Sequence, residues 1–157
     1  MTSDPTSPPD VSLREITRET LWPVLQLEVA PEQRRFVASN AISIAQAHFH
    51  PEAAWFRAIY AGETPVGFLM LHDEPGACFL WRFMIDHRFQ GLGYGRRALE
   101  RLLDHVRTLP GAAEIRTSCV PGDGTPIPFY EKAGFTLTGE ADEEGGELIM
   151  VAVLSLR

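Results

Sequence analysis

Cysteine is scarce in this 157-residue chain, and the two present, Cys78 and Cys119, stand far apart. They form neither a metal-ligand pattern nor a disulfide framework, so both read as free thiols. No apolar run approaches the roughly 18 residues that a membrane-spanning helix needs. Positive charge is also short: 14 Lys and Arg face 21 Asp and Glu, a net charge of −7. A protein that grips nucleic acid needs clustered cations against the phosphate backbone, so that class is excluded. A cationic partner fits the acidic balance, although acidic surfaces also serve solubility alone. The opening residues, Met1 to Asp10, lack the basic and apolar segments of a secretory signal. They form a polar, proline-rich tail expected to be mobile, and a cytoplasmic address follows as the expectation. His48-Phe49-His50 would set two imidazoles on one face of a strand, but no third ligand stands nearby, so no metal is expected.

What is present suffices for one domain, residues 11–157, with 45% apolar residues and no internal repeat. Val11–Ile16 alternates apolar and polar residues like a half-buried strand. Leu21 to Leu27 and Pro31 to Ala47 read as helices. Trp55–Ala61 and Val66–His72 flank Gly62-Glu63-Thr64-Pro65, a hairpin signal. Asp73-Glu74-Pro75-Gly76 turns into a strand over Cys78–Asp86. Arg96–Val106 sets Ala98, Leu99, Leu102, Leu103 and Val106 on one face, the spacing of a helix lying on a sheet. Ile115–Val120 is a strand, Thr125 to Lys132 a short helix, and Phe135–Gly139 with Glu147–Leu154 an antiparallel pair around an acidic turn.

The strand, loop and helix between Trp81 and Val106 carry the chemistry. Glycines at 91, 93 and 95 feed the helix, whose first N–H groups have no partner inside it. Those donors, with the positive end of the helix dipole, make a site for a diphosphate. Three designs share that description. A P-loop would follow its last glycine with Lys and Ser or Thr, and here Arg96 and Arg97 follow Gly95. A dinucleotide fingerprint would need glycine at position 96, which is Arg96, and Glu114 precedes its strand instead of ending it.

The third design fits. Gln90-Gly91-Leu92-Gly93-Tyr94-Gly95 matches the Q/R-x-x-G-x-G/A signature of the GNAT superfamily of acyl-CoA-dependent N-acyltransferases. Phe83-Met84-Ile85-Asp86 resembles that family's fourth strand. Phe129-Tyr130-Glu131-Lys132-Ala133-Gly134-Phe135 resembles its F-Y-x-K-x-G-F segment. The resemblance covers residues 11 to 154. It implies an α/β (α+β) domain: a mixed, mostly antiparallel, twisted sheet of six to seven strands with about four flanking helices. Its fourth and fifth strands splay apart.

The resemblance also implies a site and a co-substrate, acetyl-CoA. Backbone groups of Phe83, Met84 and Ile85, freed by the splay, would bond the pantetheine, and one N–H would polarise the thioester carbonyl. Gln90, Gly91, Leu92, Gly93, Tyr94 and Gly95 would cradle the pyrophosphate, with Arg88, Arg96 and Arg97 as candidate phosphate partners. Tyr130 matches the family tyrosine that protonates the departing thiolate. Asp123 stands where relatives often carry Asn, and could bond pantetheine or cap the following helix. The fourth strand offers no carboxylate, Phe79-Leu80-Trp81-Arg82 occupying the stretch where some relatives place a glutamate base. Glu28 and Asp73 are therefore candidates for meeting the acceptor amine. Leu80 to Asp86, with the later Val120-Pro121-Gly122-x-Gly124-x-Pro126, resembles a subgroup labelled spermidine or spermine acetyltransferase. The expected reaction is acetyl transfer to a primary amine of a small molecule, a polyamine fitting the acidic charge. A protein or peptide amine, and a non-catalytic acyl-CoA-binding module, stand as alternatives, and the sequence leaves a homodimer open.

Overall fold

Seven strands form one sheet in a computed structural model that describes residues 8–154. They are β1 (Val11–Arg14), β2 (Ala54–Ala61), β3 (Thr64–Glu74), β4 (Ala77–Ile85), β5 (Glu114–Cys119), β6 (Thr136–Ala141) and β7 (Leu148–Val153). Their spatial order is β1-β2-β3-β4-β5-β7-β6. The β4–β5 pair is parallel and every other pairing is antiparallel. The four α-helices are α1 (Leu21–Leu25), α2 (Asn40–Ala47), α3 (Tyr94–Arg107) and α4 (Ile127–Lys132). Most of the expected mobile tail, residues 1–7, lies outside the described residues.

Both faces of the sheet are covered, which is why β3 is buried continuously from Val66 to Leu71 instead of alternating. One face carries Ile59, Leu69, Leu71, Leu80 and Ile115 against α3 and Phe135. The other carries Ala58, Tyr60, Phe68, Met70 and Met84, closed over by Val24, Leu27 and Ala47. On α3, Ala98, Leu99, Leu102 and Val106 recur at helical spacing and are fully buried; Leu103, at the edge of that stripe, is partly exposed.

Residues 31–47 depart from the single helix that their composition predicts. Pro31–Phe36 is a 3-10 helix, and Val37 is extended (φ −152°, ψ 139°). The chain restarts at Ser39, whose Oγ accepts the Ile42 N–H at 3.2 Å. The buried Asn40 amide then donates to the Val24 carbonyl at 2.9 Å, docking α2 onto α1. A side-chain cap and a tertiary hydrogen bond thus override local helix propensity. Phe135 also lies outside β6: its N–H closes the end of α4 on the Tyr130 carbonyl, and its ring enters the core.

Candidate active site

One extra residue in β4 opens the sheet. Met70 of β3 faces Arg82 and Leu71 faces Leu80, which leaves Trp81 as a bulge. Bulges bend the strand that carries them. On its other side β4 pairs with β5 only through Cys78↔Ile115, Phe79↔Arg116 and Leu80↔Thr117. The Thr117 hydroxyl ties the last rung, donating to the Leu80 carbonyl at 3.0 Å. Beyond it the strands part, β5 continuing along β7 while β4 runs on to Ile85 without a ladder partner on that side. The gap is a cleft of about 940 Å³, within the usual range of ligand sites.

Gly67 on β3 pairs with Ile85 near the end of β4. A Cβ there would collide with the Met84 carbonyl, so only glycine lets β3 approach β4 this closely. At the end of β4, the buried Asp86 gathers the chain. Its carboxylate accepts the Arg88 N–H and Nε, each at 2.9 Å, and the Glu28 N–H at 3.0 Å. Burial pushes this carboxyl's pKa up, but the hydrogen bonds from the Arg88 side chain and from the Glu28 and Arg88 backbones prevail. The net shift is below the usual range.

The glycine loop follows. Gly91 and Gly93 sit at φ +79° and +84°, and a Cβ on either would meet no described atom within 4 Å, so the loop's outer surface is open. Gly93 caps α3 in the left-handed conformation without a side-chain hydrogen bond, so no side-chain cap occupies the first-turn N–H groups. Gly95 does different work: a Cβ there would lie 3.4 Å from the Phe129 ring and 3.6 Å from Ile85, so it lets α3 pack against α4 and β4. Gln90 bonds the Ile85 carbonyl and exchanges amide hydrogen bonds with Gln33, linking the loop to the 3-10 helix.

Tyr130 enters from α4, only 6% exposed, within a ring of Phe83, Phe129 and Phe135 whose centroids lie 5.3–6.4 Å away. It lines the cleft together with Thr117 and Phe83. Desolvation, reinforced by the Cys119 thiol, drives its pKa far above the ordinary tyrosine value, against a weaker opposite pull from Thr117. The phenol is therefore a retained proton next to the seam where the strands part. Both thiols are buried, with pKa values pushed up to about 11 for Cys78 and about 12 for Cys119. Neither is poised as a nucleophile.

Phe83, Met84, Ile85, Gln90, Gly91, Gly93, Tyr94, Gly95, Arg96 and Tyr130 converge on this one cleft. Four predicted site residues do not line it. Leu92 projects outward, 60% exposed. Asp123 does not cap α4, which has no side-chain cap; its backbone carbonyl accepts Arg35 at 2.7 Å. Glu28 turns its carboxylate to Arg34 at 3.8 Å, and Asp73 lies at the distal end of β3 opposite Cys78. Among the predicted phosphate partners, Arg88 is held by Asp86 and Arg97 by the Pro9 carbonyl, so Arg96 is the one of the three on the cleft.

The cleft also holds residues that sequence reasoning did not assign: Arg34, Arg35, Trp81, Arg82, Asp142 and Glu147. The last two belong to the acidic turn, whose role was invisible without the β5–β7 register. His50 packs edge-on against His72 and Trp81 at 5.4 and 5.5 Å, behind the cleft wall. Among the described residues no group of three or more His, Cys, Asp or Glu is placed to hold a metal ion, and no helix is long and apolar enough to cross a membrane.

Known proteins resemble this chain in sequence and in fold. The chain is 27% identical over 151 residues to the spermine/spermidine N(1)-acetyltransferase of Bacillus subtilis, covering 92% of this chain and 99% of that one. It is 30% identical over 94 residues to the peptidyl-lysine N-acetyltransferase YjaB of Escherichia coli, covering 60% and 57%. The fold superposes with a TM-score of 0.73 on Vibrio cholerae spermidine N-acetyltransferase, solved in complex with CoA and spermine, at 18% identity over 92% of this chain and 96% of that one. A family model described as acetyltransferase (GNAT) matches residues 14–135, from β1 through the glycine loop to the end of the Tyr130 segment. The chain therefore belongs to the acetyltransferase (GNAT) family, enzymes that use acetyl-CoA as acyl donor.

Proposed function

We propose that this enzyme transfers the acetyl group of acetyl-CoA directly to a primary amine of a polyamine such as spermidine. One observation supports direct transfer above all: a protonated, buried Tyr130 stands in the same cleft as the unpaired edge of β4 and the open glycine loop. The residues divide the work. First-turn N–H groups of α3, presented by Gly91 and Gly93, receive the pyrophosphate, with Arg96 alongside. Backbone groups of Phe83 to Ile85 bond the pantetheine amides in place of a β5 partner. One of these N–H groups polarises the thioester carbonyl as the amine adds. Tyr130 then gives its proton to the sulfur as the carbon–sulfur bond breaks, and recovers one from the attacking nitrogen.

The near full-length similarity to the Bacillus subtilis enzyme supports the polyamine, and the net charge of −7 agrees with a cationic acceptor. A cytoplasmic location belongs to the same reading. Thiol release from acetyl-CoA, followed over a panel of polyamines, monoamines and lysine peptides, tests it. Spermidine or spermine should give the highest kcat/KM. Robust acetylation of a lysine peptide with spermidine inert would replace the polyamine by a protein amine, the class that YjaB names.

A further inference from the structure

The acceptor end of the cleft lacks a carboxylate on β4, yet it is not without one. β7 pairs with β5 as far as Leu148↔Cys119, so Glu147 stands one residue beyond the ladder, at the end of β5 where the gap is open. Its position is fixed by a backbone clasp. The Glu147 N–H donates to the Asp142 carboxylate at 3.1 Å, and the Asp142 N–H donates to the Glu147 carbonyl at 2.9 Å. Among the described residues the Glu147 carboxylate has little to satisfy it: one long hydrogen bond from the Ser118 hydroxyl, at 3.4 Å.

Arg82 lies across the gap on β4, close enough for Glu147 to act on its charge, with its two Nη atoms bonded elsewhere and its buried Nε without a partner among the described residues. Its Nη1 bonds the Trp81 carbonyl and its Nη2 bonds Gln46 of α2, and among the described residues it makes no direct ion pair with Glu147. Glu147 is thus a half-buried carboxylate on a clasped turn, lining the cleft, near Arg82 but in no direct ion pair among the described residues.

We propose that Glu147, backed by Asp142, seats an ammonium group of the acceptor. The inference rests on the polyamine reading and adds to it which ammonium is held. A carboxylate stabilises the charged form of an amine, whereas the attacking nitrogen must be neutral. Glu147 therefore grips a remote ammonium and leaves the reacting nitrogen to the Tyr130 end. The exposed Glu143 and Glu144 at the tip of the same hairpin lie off the cleft lining and serve as internal controls.

The test is steady-state kinetics on the full chain with spermidine and with a monoamine of similar length. Glu147→Gln should raise KM for spermidine by roughly tenfold to a hundredfold, the range for losing a hydrogen bond to a charged group. KM for the monoamine and for acetyl-CoA should hold, as should kcat at saturation. Glu147→Asp should recover part of the loss, with unchanged thermal melts showing that each variant folds. Added salt should raise the spermidine KM of the wild type more than that of Glu147→Gln. Glu143→Gln or Glu144→Gln, with the same change of net charge, should do nothing. An equal KM rise for monoamine and spermidine, no rise, or the same rise in Glu143→Gln would overturn the assignment while leaving the enzyme a polyamine acetyltransferase. A wild type inert toward spermidine but active on lysine peptides would instead remove the polyamine reading beneath it.

Discussion

The two ends of the cleft are built on different principles. In the reading proposed above, the donor end uses main-chain groups from one continuous stretch, β4 through the glycine loop into α3. Its requirements are conformational, namely glycines at positive φ, an uncapped helix start and a strand edge without a partner. The proposed acceptor end is lined by side chains that come from elements distant in the chain: Trp81 and Arg82 from β4, Ser118 from β5, Asp142 and Glu147 from the last hairpin. A common co-substrate can be held by the backbone, which any compatible sequence supplies. A particular amine must be read by side chains, which each sequence sets for itself.

Five substitutions would break or sharpen that contrast. The largest effect should come from Tyr130→Phe, which keeps the ring in its aromatic cage and removes the proton. We expect kcat to fall by roughly a hundred- to ten-thousandfold, the usual span for positioned proton transfer, with acetyl-CoA affinity nearly unchanged by calorimetry. Because the phenol's pKa lies well above the ordinary tyrosine value, the wild type should show no loss of rate from Tyr130 ionisation up to about pH 10. Full turnover in a variant of lowered melting temperature would make the tyrosine purely structural.

Next, Gly93→Asp should weaken acetyl-CoA binding by about tenfold or more. The φ of +84° disfavours any side chain, at a cost of about 1–3 kcal/mol, and the new charge repels the pyrophosphate. The open space around the site should let the fold survive, so circular dichroism should stay native while calorimetry loses the binding isotherm. Unchanged affinity would show that the pyrophosphate lies elsewhere.

Asp86→Asn should act on the frame between the two ends. The carboxylate holds Arg88 and the Glu28 N–H together, and a hydrogen bond to a charged group contributes about 1.5–3 kcal/mol. Its folded pKa is depressed, so the unfolded chain binds the proton more readily and this stability is present above the unfolded pKa, about 3.9. It is lost as pH falls through the folded value. Denaturant melts should therefore separate wild type from variant at pH 7 and converge in strong acid. A gap that widens on acidification would refute the sign.

The smallest effects should come from Glu28→Gln and Asp73→Asn. Both carboxylates lie off the cleft, so each should shift stability by less than about 0.5 kcal/mol and leave KM for spermidine untouched. A selective rise in KM from either would move the acceptor path away from Glu147.

What could be read along the chain was what neighbouring residues settle among themselves. The stripe Ala98, Leu99, Leu102, Val106 implied a helix on a sheet, and the glycines before it implied an open helix start, because periodicity and φ preference act within a few residues. The break at Val37 was not legible, since it depends on Asn40 finding the Val24 carbonyl. The acidic hairpin read only as a turn for a similar reason. The sequence by itself determined the order of elements, the glycine loop and the presence of Tyr130 in its motif. Only the tertiary structure decided which carboxylates face the cleft. Glu28 and Asp73 fell away from it, whereas β7, inserting between β5 and β6, carried Glu147 to the open end of β5 beside Ser118. Strand pairing between distant segments sets such neighbours, and no short stretch of sequence names the strand it will pair with.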